Sequence, residues 1–116
     1  MSQHVNVIQN PAFKAEAMNK IANFSGGMLG VDTYYFKPGQ VLDYHRHPEG
    51  DQVFFVFQGE GEFYLDNGNG EEKIAVAAGS IIYVPAGTWH KLVNSGNSDM
   101  IASQATKAGA GMELRK

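Results

Sequence analysis

Two histidines one residue apart, His45 and His47, are followed by Gln52 and, behind a Pro85-Ala86-Gly87 turn, by His90. Imidazole nitrogens suit first-row transition metals. Three of them with an oxygen donor fit Fe²⁺, Mn²⁺, Ni²⁺, Co²⁺ or Zn²⁺ and leave coordination positions for water or substrate. An ion held in that way is open, which metal-assisted catalysis requires. A single histidine is more often a satisfied core or surface residue, and His4, in an unpatterned N-terminal stretch, is read so. Glu49 and Asp51 stand close enough in sequence to be a ligand, a partner of a ligand or a proton acceptor, or else simply solvated loop charges. Of the neighbouring aromatic residues, Tyr44, Phe54 and Phe57 read mainly as core. Tyr83 and Trp89 flank the last histidine and are the candidates for lining a pocket.

The constellation needs β-structure. In a strand successive side chains alternate between faces, so histidines at i and i+2 share one, whereas a helix would place them about 200° apart. The local sequence agrees. Met28 to Phe36 is rich in β-branched and aromatic residues, Lys37-Pro38-Gly39-Gln40 is a turn, and a second strand carries Val41, Tyr44 and the histidine pair. After Pro48-Glu49-Gly50, the run Val53-Phe54-Phe55-Val56-Phe57 is apolar without alternation, which implies burial on both faces inside a two-sheet sandwich or at a subunit contact. Phe63 and Leu65 alternate with polar residues, and Asp66-Asn67-Gly68-Asn69-Gly70 signals a tight hairpin with Lys73 to Ala77 returning. Ile81 to Val84, the segment from Thr88 to His90, and Met100 to Thr106 supply further strands. Near the start, Asn10-Pro11 could cap a short helix with Phe13, Ala17, Met18 and Ile21 on one side and Glu16 paired to Lys20; the alternative is one turn followed by a strand over Met18 to Phe24. Ala108 to Lys116 reads as a loosely held tail. Many short strands in antiparallel succession give an all-β jelly roll or barrel.

A chain of 116 residues suits one domain. Nine basic against twelve acidic residues, with no Lys/Arg cluster, argue against nucleic acid as a partner. The absence of cysteine removes disulfides, thiolate nucleophiles and Cys-rich zinc sites. No apolar stretch approaches the length of a membrane span and Met1 to Asn10 has no secretory pattern, so the expectation is a soluble, cytoplasmic protein with no membrane contact.

The motifs go further. Gly39, His45, His47, Gln52 and Gly59 resemble in type and spacing the first motif of the cupins, and Gly79, Pro85, Gly87, His90 and Asn94 resemble the second. The resemblance is to a small single-domain cupin. It implies a double-stranded β-helix, a jelly-roll barrel, with one divalent transition metal ion inside it, bound by His45, His47, His90 and the residue at position 52. It also implies a homodimer built by sheet contacts and exchange of an N-terminal strand. On this reading residues 1–27 are an N-terminal extension packed on the barrel or on a dimer partner, 28–107 the barrel, and 108–116 the tail.

One departure matters: the first motif usually carries glutamate where this chain has Gln52. An amide oxygen can bind a hard cation but adds no charge. The resulting neutral set should bind its ion more weakly, make it a stronger Lewis acid and favour the reduced state of a redox metal. The other orientation of Gln52 is outward, away from the ion. His-His-Gln-His also resembles the ligand set of small cupins that open unsaturated uronate rings. Those are expected to carry an acidic residue on the last strand, and Ile101-Ala102-Ser103-Gln104-Ala105 has none, so that activity is not carried over.

Three functions follow. The first is a metalloenzyme of dioxygenase or isomerase/lyase type acting on a small polar metabolite with a carboxylate or enediol. The second is a non-catalytic module that binds a metal or a small ligand. The third is a metal-free barrel, disfavoured because converging donors without an ion leave polar atoms unpaired.

Overall fold

The computed structural model describes residues 3–115, so Met1, Ser2 and Lys116, the outermost residues of the N-terminal extension and the tail, lie outside the described residues. Ten strands follow one another: β1 (Asn19–Ser25), β2 (Leu29–Phe36), β3 (Val41–Arg46), β4 (Gln52–Gln58), β5 (Glu60–Asp66), β6 (Glu71–Ala77), β7 (Ile81–Val84), β8 (Trp89–Val93), β9 (Met100–Lys107) and β10 (Glu113–Leu114). They form two five-stranded sheets, β1-β2-β9-β4-β7 and β10-β3-β8-β5-β6, referred to below as sheets A and B. Every pairing is antiparallel. Among the described residues there is no helix, and none therefore long and apolar enough to cross a membrane.

The chain folds this way because turn chemistry sits where strands must end. At Lys37-Pro38-Gly39-Gln40 the Gln40 amide donates to the Lys37 carbonyl at 3.0 Å, and Gly39 takes φ +86°, a value side-chain-bearing residues resist. The β5–β6 hairpin turns through Asn67 to Gly70, a wider loop than the Asn-Gly dipeptide suggests. The Asp66 and Asn67 side chains accept from the Gly68 and Asn69 amides at 2.9 and 3.2 Å, stabilising two overlapping turns in place of one tight one.

Between the sheets lie Tyr34, Phe36, Phe54, Val56, Phe63, Leu92 and Met100. Phe54 is central, stacked on Tyr34 at 6.0 Å and edge-on to Phe63 at 5.0 Å. Each such aromatic residue contributes roughly 1.5–3 kcal/mol by leaving water.

Three sequence expectations change. The run Val53 to Phe57 is not buried on both faces. Phe54 and Val56 point into the core while Val53 and Phe55 are half-buried and Phe57 is 41% exposed, because strand pairing enforces alternation on an apolar run as on any other. Residues 10–21 do not form the capped helix; the extended alternative holds, with β1 paired to β2. Backbone carbonyls a helix would need are taken from outside: Ala12 by the Asn19 side chain at 2.7 Å, Lys14 and Ala15 by that of Gln40 at 2.9 and 3.3 Å. Phe13 meets Tyr35 edge-on at 5.3 Å, and Lys20 pairs with Asp32 at 3.8 Å instead of Glu16. Nor is the tail loose. β10 pairs with β3, and Arg46–Glu113 (2.6 Å) and Arg115–Asp66 (2.7 Å) ion pairs hold it to sheet B.

Gly61 on β5 packs tightly against the end of β8 and the start of β9. A Cβ there would lie 2.2 Å from the Val93 carbonyl oxygen and 3.1 Å from Met100 Sδ, whereas one at Gly27 would meet nothing. Gly61→Ala should therefore cost about 3 kcal/mol, the upper range for overpacking, and Gly27→Ala within about 0.5 kcal/mol of zero. Urea unfolding of both variants checks the contrast.

Candidate metal centre

Sheet B carries the histidines. His45 on β3 and His90 on β8 are directly paired across the strands, with ring centroids 4.1 Å apart. The pairing of β3 with β8 is irregular between Leu42 and His45, and β3 ends at Arg46. His47 thus reaches the cluster from just beyond the strand, its ring 5.3 Å from His45 and 5.7 Å from His90. Its backbone is fixed by the second motif: the Gly87 amide donates to the His47 carbonyl at 2.9 Å, inside a turn closed by Thr88 N–H on the Pro85 carbonyl at 3.1 Å.

The hydrogen bonds settle which ring nitrogen is free. Nδ1 of His45 meets the Asp43 carbonyl at 2.8 Å, Nδ1 of His47 the Gly111 carbonyl at 2.7 Å, and Nδ1 of His90 the Thr88 carbonyl at 3.0 Å. A carbonyl can only accept, so each Nδ1 carries the hydrogen and each Nε2 keeps a lone pair. One ring nitrogen from each of the three lies within 4.8 Å of the others. His90 Nε2 is buried with no hydrogen-bond partner. Backbone-fixed Nδ1–H with a converging bare Nε2 is the arrangement of histidines that ligate a metal.

Electrostatics point the same way. Burial pushes the His90 imidazole down to about 3, with the nearby His45 adding to the effect. His45 is lowered too, again chiefly by burial, which outweighs its bond to the Asp43 carbonyl. Both rings are therefore neutral and ready to donate a lone pair at ordinary pH.

Sheet A faces the histidines with a polar row. Gln52, 2% exposed on β4, pairs with Thr106 on β9, and Gln104 on β9 pairs with Asp32 on β2. The Gln52 amide nitrogen lies 3.2 Å from His47 Nε2 and 2.8 Å from Gln104 Oε1; its own oxygen is buried without a partner. A cavity of about 220 Å³ opens beside His45 and His47, lined also by Lys20, Asp32, Tyr34 and Leu42 and closed by Met112 and Leu114 of the tail.

The histidines and Gln52 thus come together. Tyr83 and Trp89 do not join them. Tyr83, paired with Val53, is 58% exposed on the outer face of sheet A, and Trp89 lies on the outer face of sheet B under Arg46, whose guanidinium is 4.4 Å from the ring centroid. Strand alternation decides this, since their neighbours Val84 and His90 are the ones that point inward. Asp51 is also outside. Its carboxylate accepts the Tyr83 hydroxyl and the Ala86 amide, bonds that lower its pKa and brace the Pro85 turn. Glu49 is exposed. Sequence reasoning missed Asp32, Gln104, Thr106 and Lys20, which carry no motif, and the tail carbonyl of Gly111. Alternation along β2 sets Asp32 on the face opposite Val31 and Thr33, and only the packing of the sheets decides which face turns inward.

Comparison with known proteins bears on the same residues. Residues 33–102 match the model of the family described as "Cupin domain". The chain is 46% identical over 52 residues to acireductone dioxygenase 1 of Nocardia farcinica, covering 45% of this chain and 27% of that protein. It is 30% identical over 63 residues to the oxalate-binding protein of Thermotoga maritima, covering 54% and 49%. The chain thus spans half or less of the length of these curated relatives. A crystal structure of an uncharacterized protein with a double-stranded beta-helix domain from Klebsiella pneumoniae superposes with a TM-score of 0.90 at 24% identity, over 100% of this chain and 99% of that one.

The lowered imidazoles make stability depend on pH. Below an ordinary histidine pKa of about 6.5 the unfolded chain takes up protons that native His90 refuses until about 3. The unfolded state then binds more protons, so metal-free protein should lose stability as pH falls through that window and be level above it, with a slope approaching 1.4 kcal/mol per pH unit for one such group. Urea titrations of wild type and His90→Leu between pH 7 and 4 should show a shallower slope in the variant.

Proposed function

The chain belongs to the cupin family, and on that premise we propose that it is a small metal-binding cupin acting on a small polar metabolite bearing a carboxylate or an enediol, by dioxygenase or isomerase/lyase chemistry. The observation that carries the reading is the shared tautomer: three imidazoles, each held through Nδ1–H by a backbone carbonyl, bring ring nitrogens within 4.8 Å of one another with their Nε2 lone pairs left over. His45, His47 and His90 would hold Fe²⁺, Mn²⁺, Ni²⁺, Co²⁺ or Zn²⁺, with Gln52 as the oxygen donor. When bound, such an ion supplies Lewis-acid polarisation of substrate oxygens or, for a redox metal, electron transfer.

The chain's own residues supply the rest. Lys20 and Asp32 put opposite charges at the cavity mouth, where Lys20 can pair with a substrate carboxylate and Asp32 can take a proton from a hydroxyl. Leu42, Met112 and Leu114 exclude water on one side. The cavity is below the usual range for drug-sized ligands and suits a metabolite of a few heavy atoms. The names of two relatives support the ligand class, since a reductone is an enediol and oxalate a dicarboxylate. The second of these names, a binding protein, favours the alternative of a non-catalytic module. The reading also includes a cytoplasmic homodimer, supported by the lack of cysteine and by the apolar outer face of β4 and β7, where Phe57, Ile81 and Tyr83 are exposed in the single chain.

Elemental analysis of untagged protein prepared without chelators should find about one equivalent of a single transition metal per chain, absent from a His45→Ala/His90→Ala variant. Failure of both proteins to hold or take up any ion would leave a metal-free barrel. Given a loaded site, turnover of an enediol or a hydroxy acid separates the enzyme from the module, which would bind the compound and return it unchanged.

A further inference from the structure

The neutral amide at position 52 raises a problem that a glutamate there would not have. A carboxylate offers oxygen at both ends, whereas an amide offers oxygen at one end and a donor-only NH₂ group at the other, and only the oxygen can bind a cation. Something must decide which end is free.

We propose that Asp32 makes that decision, as a positioning residue acting through Gln104, so that the Gln52 oxygen is the end left available to the ion. The inference rests on the metal-binding reading above and adds the device that makes a glutamine serviceable in it. The polarity of the chain of bonds can be followed from its charged end. A carboxylate is an acceptor, so the Gln104 amide turns its NH₂ group to Asp32, with Gln104 Nε2 2.7 Å from Asp32 Oδ2. Gln104 Oε1 then faces the other way, where it accepts from the Thr106 hydroxyl and from Gln52 Nε2 at 2.8 Å. The Gln52 NH₂ group is thereby committed to Gln104 and, through its second hydrogen, to the His47 Nε2 lone pair at 3.2 Å. Oε1 is left over, buried and without any partner. A buried carbonyl in that condition costs about 1–3 kcal/mol unless something takes its lone pairs. Reversing Gln104 would turn its NH₂ group to Gln52 and commit the Gln52 oxygen to that bond, but the carboxylate disfavours the reversal.

The register puts these groups in reach. Asp32 and Gln104 are directly paired across β2 and β9, Gln52 and Thr106 across β9 and β4, and Gln104 and Thr106 share a face two residues apart. The row brings the charge that a glutamate would have placed on the ion to within two hydrogen bonds of it. Lys20, 3.8 Å from Asp32 Oδ2, carries only donors and so does not compete with that carboxylate as an acceptor.

The experiment is a double-mutant cycle read by equilibrium Co²⁺ binding, with thermal unfolding to confirm that each protein is folded. Asp32→Asn keeps the shape and removes the polarity, since an amide at 32 can present either end. It should weaken Co²⁺ binding about tenfold or more, the usual scale for a partner that orients a ligand. In a Gln52→Glu background the same change should leave affinity unchanged or raise it, because a carboxylate at 52 needs no orienting and Gln104 becomes free to turn its NH₂ group to it. A similar loss in both backgrounds would mean that Asp32 acts by charge alone and would overturn the proposal. A second readout needs no metal: in ¹⁵N-labelled metal-free protein the Gln52 side-chain NH₂ should exchange slowly with solvent, and in Asp32→Asn faster while backbone protection is kept. If no variant binds Co²⁺, the metal-binding reading fails while this second readout still decides the relay, which is overturned by unchanged Gln52 exchange in Asp32→Asn.

Discussion

Everything near the centre of this barrel depends on crowding three imidazoles together while burial keeps His45 and His90 uncharged. Their rings lie within 4.1 to 5.7 Å of one another, two of them buried, and a proton on one would repel the others at a distance where little water intervenes. The protein meets this constraint with backbone. One carbonyl per ring takes the Nδ1 hydrogen, so no carboxylate is spent on orienting a histidine and the ligating nitrogens remain bare. The aromatic floor holds the rings in place: Phe63 lies parallel to His90 at 6.1 Å and Phe54 edge-on at 5.7 Å. The same apolar packing that builds the core therefore sets the acid–base behaviour of the site.

The two sheets divide the work. Sheet B supplies the nitrogen donors, and sheet A supplies an amide whose orientation is fixed by its neighbours. Their relative placement is held by turns and by Asn94. That buried side chain donates to the Phe36 carbonyl at 3.2 Å and the Ser98 carbonyl at 2.9 Å, and accepts from the Gly96 amide at 3.1 Å, while its backbone pairs with Gly39 and Gln40. It stitches the end of β8 to the end of β2 and the turn that follows. The tail completes the arrangement from outside, because Gly111 orients His47 while Met112 and Leu114 wall the cavity. An imidazole donor set beside a small cavity with both charged and apolar walls is suited to holding an ion that a chelating substrate can approach. One scaffold can host many reactions, so the barrel by itself does not specify the chemistry.

Much of this was legible in the residues. Turn-forming Gly, Pro and Asn, β-branched runs and the i, i+2 histidines are local signals, and local signals were enough for the all-β class, most strand positions and the convergence of His45, His47 and His90. The motif spacing added Gln52. What stayed hidden was long-range. Tyr83 and Trp89 sit beside motif residues in sequence yet on the outer faces, since one step along a strand reverses the side chain. The tail has a composition typical of loose ends, but ion pairs to Arg46 and Asp66 fix it to a sheet edge. Asp32, Gln104 and Thr106 belong to no motif, and Asp32 lies 72 positions from Gln104 in the chain. Which residues are strands and which could bind a metal followed from chemistry written within a few positions. Which face each strand turns inward, and hence which carboxylate stands behind the Gln52 amide, was decided only when β2, β9 and β4 paired, because register is a property of two strands together.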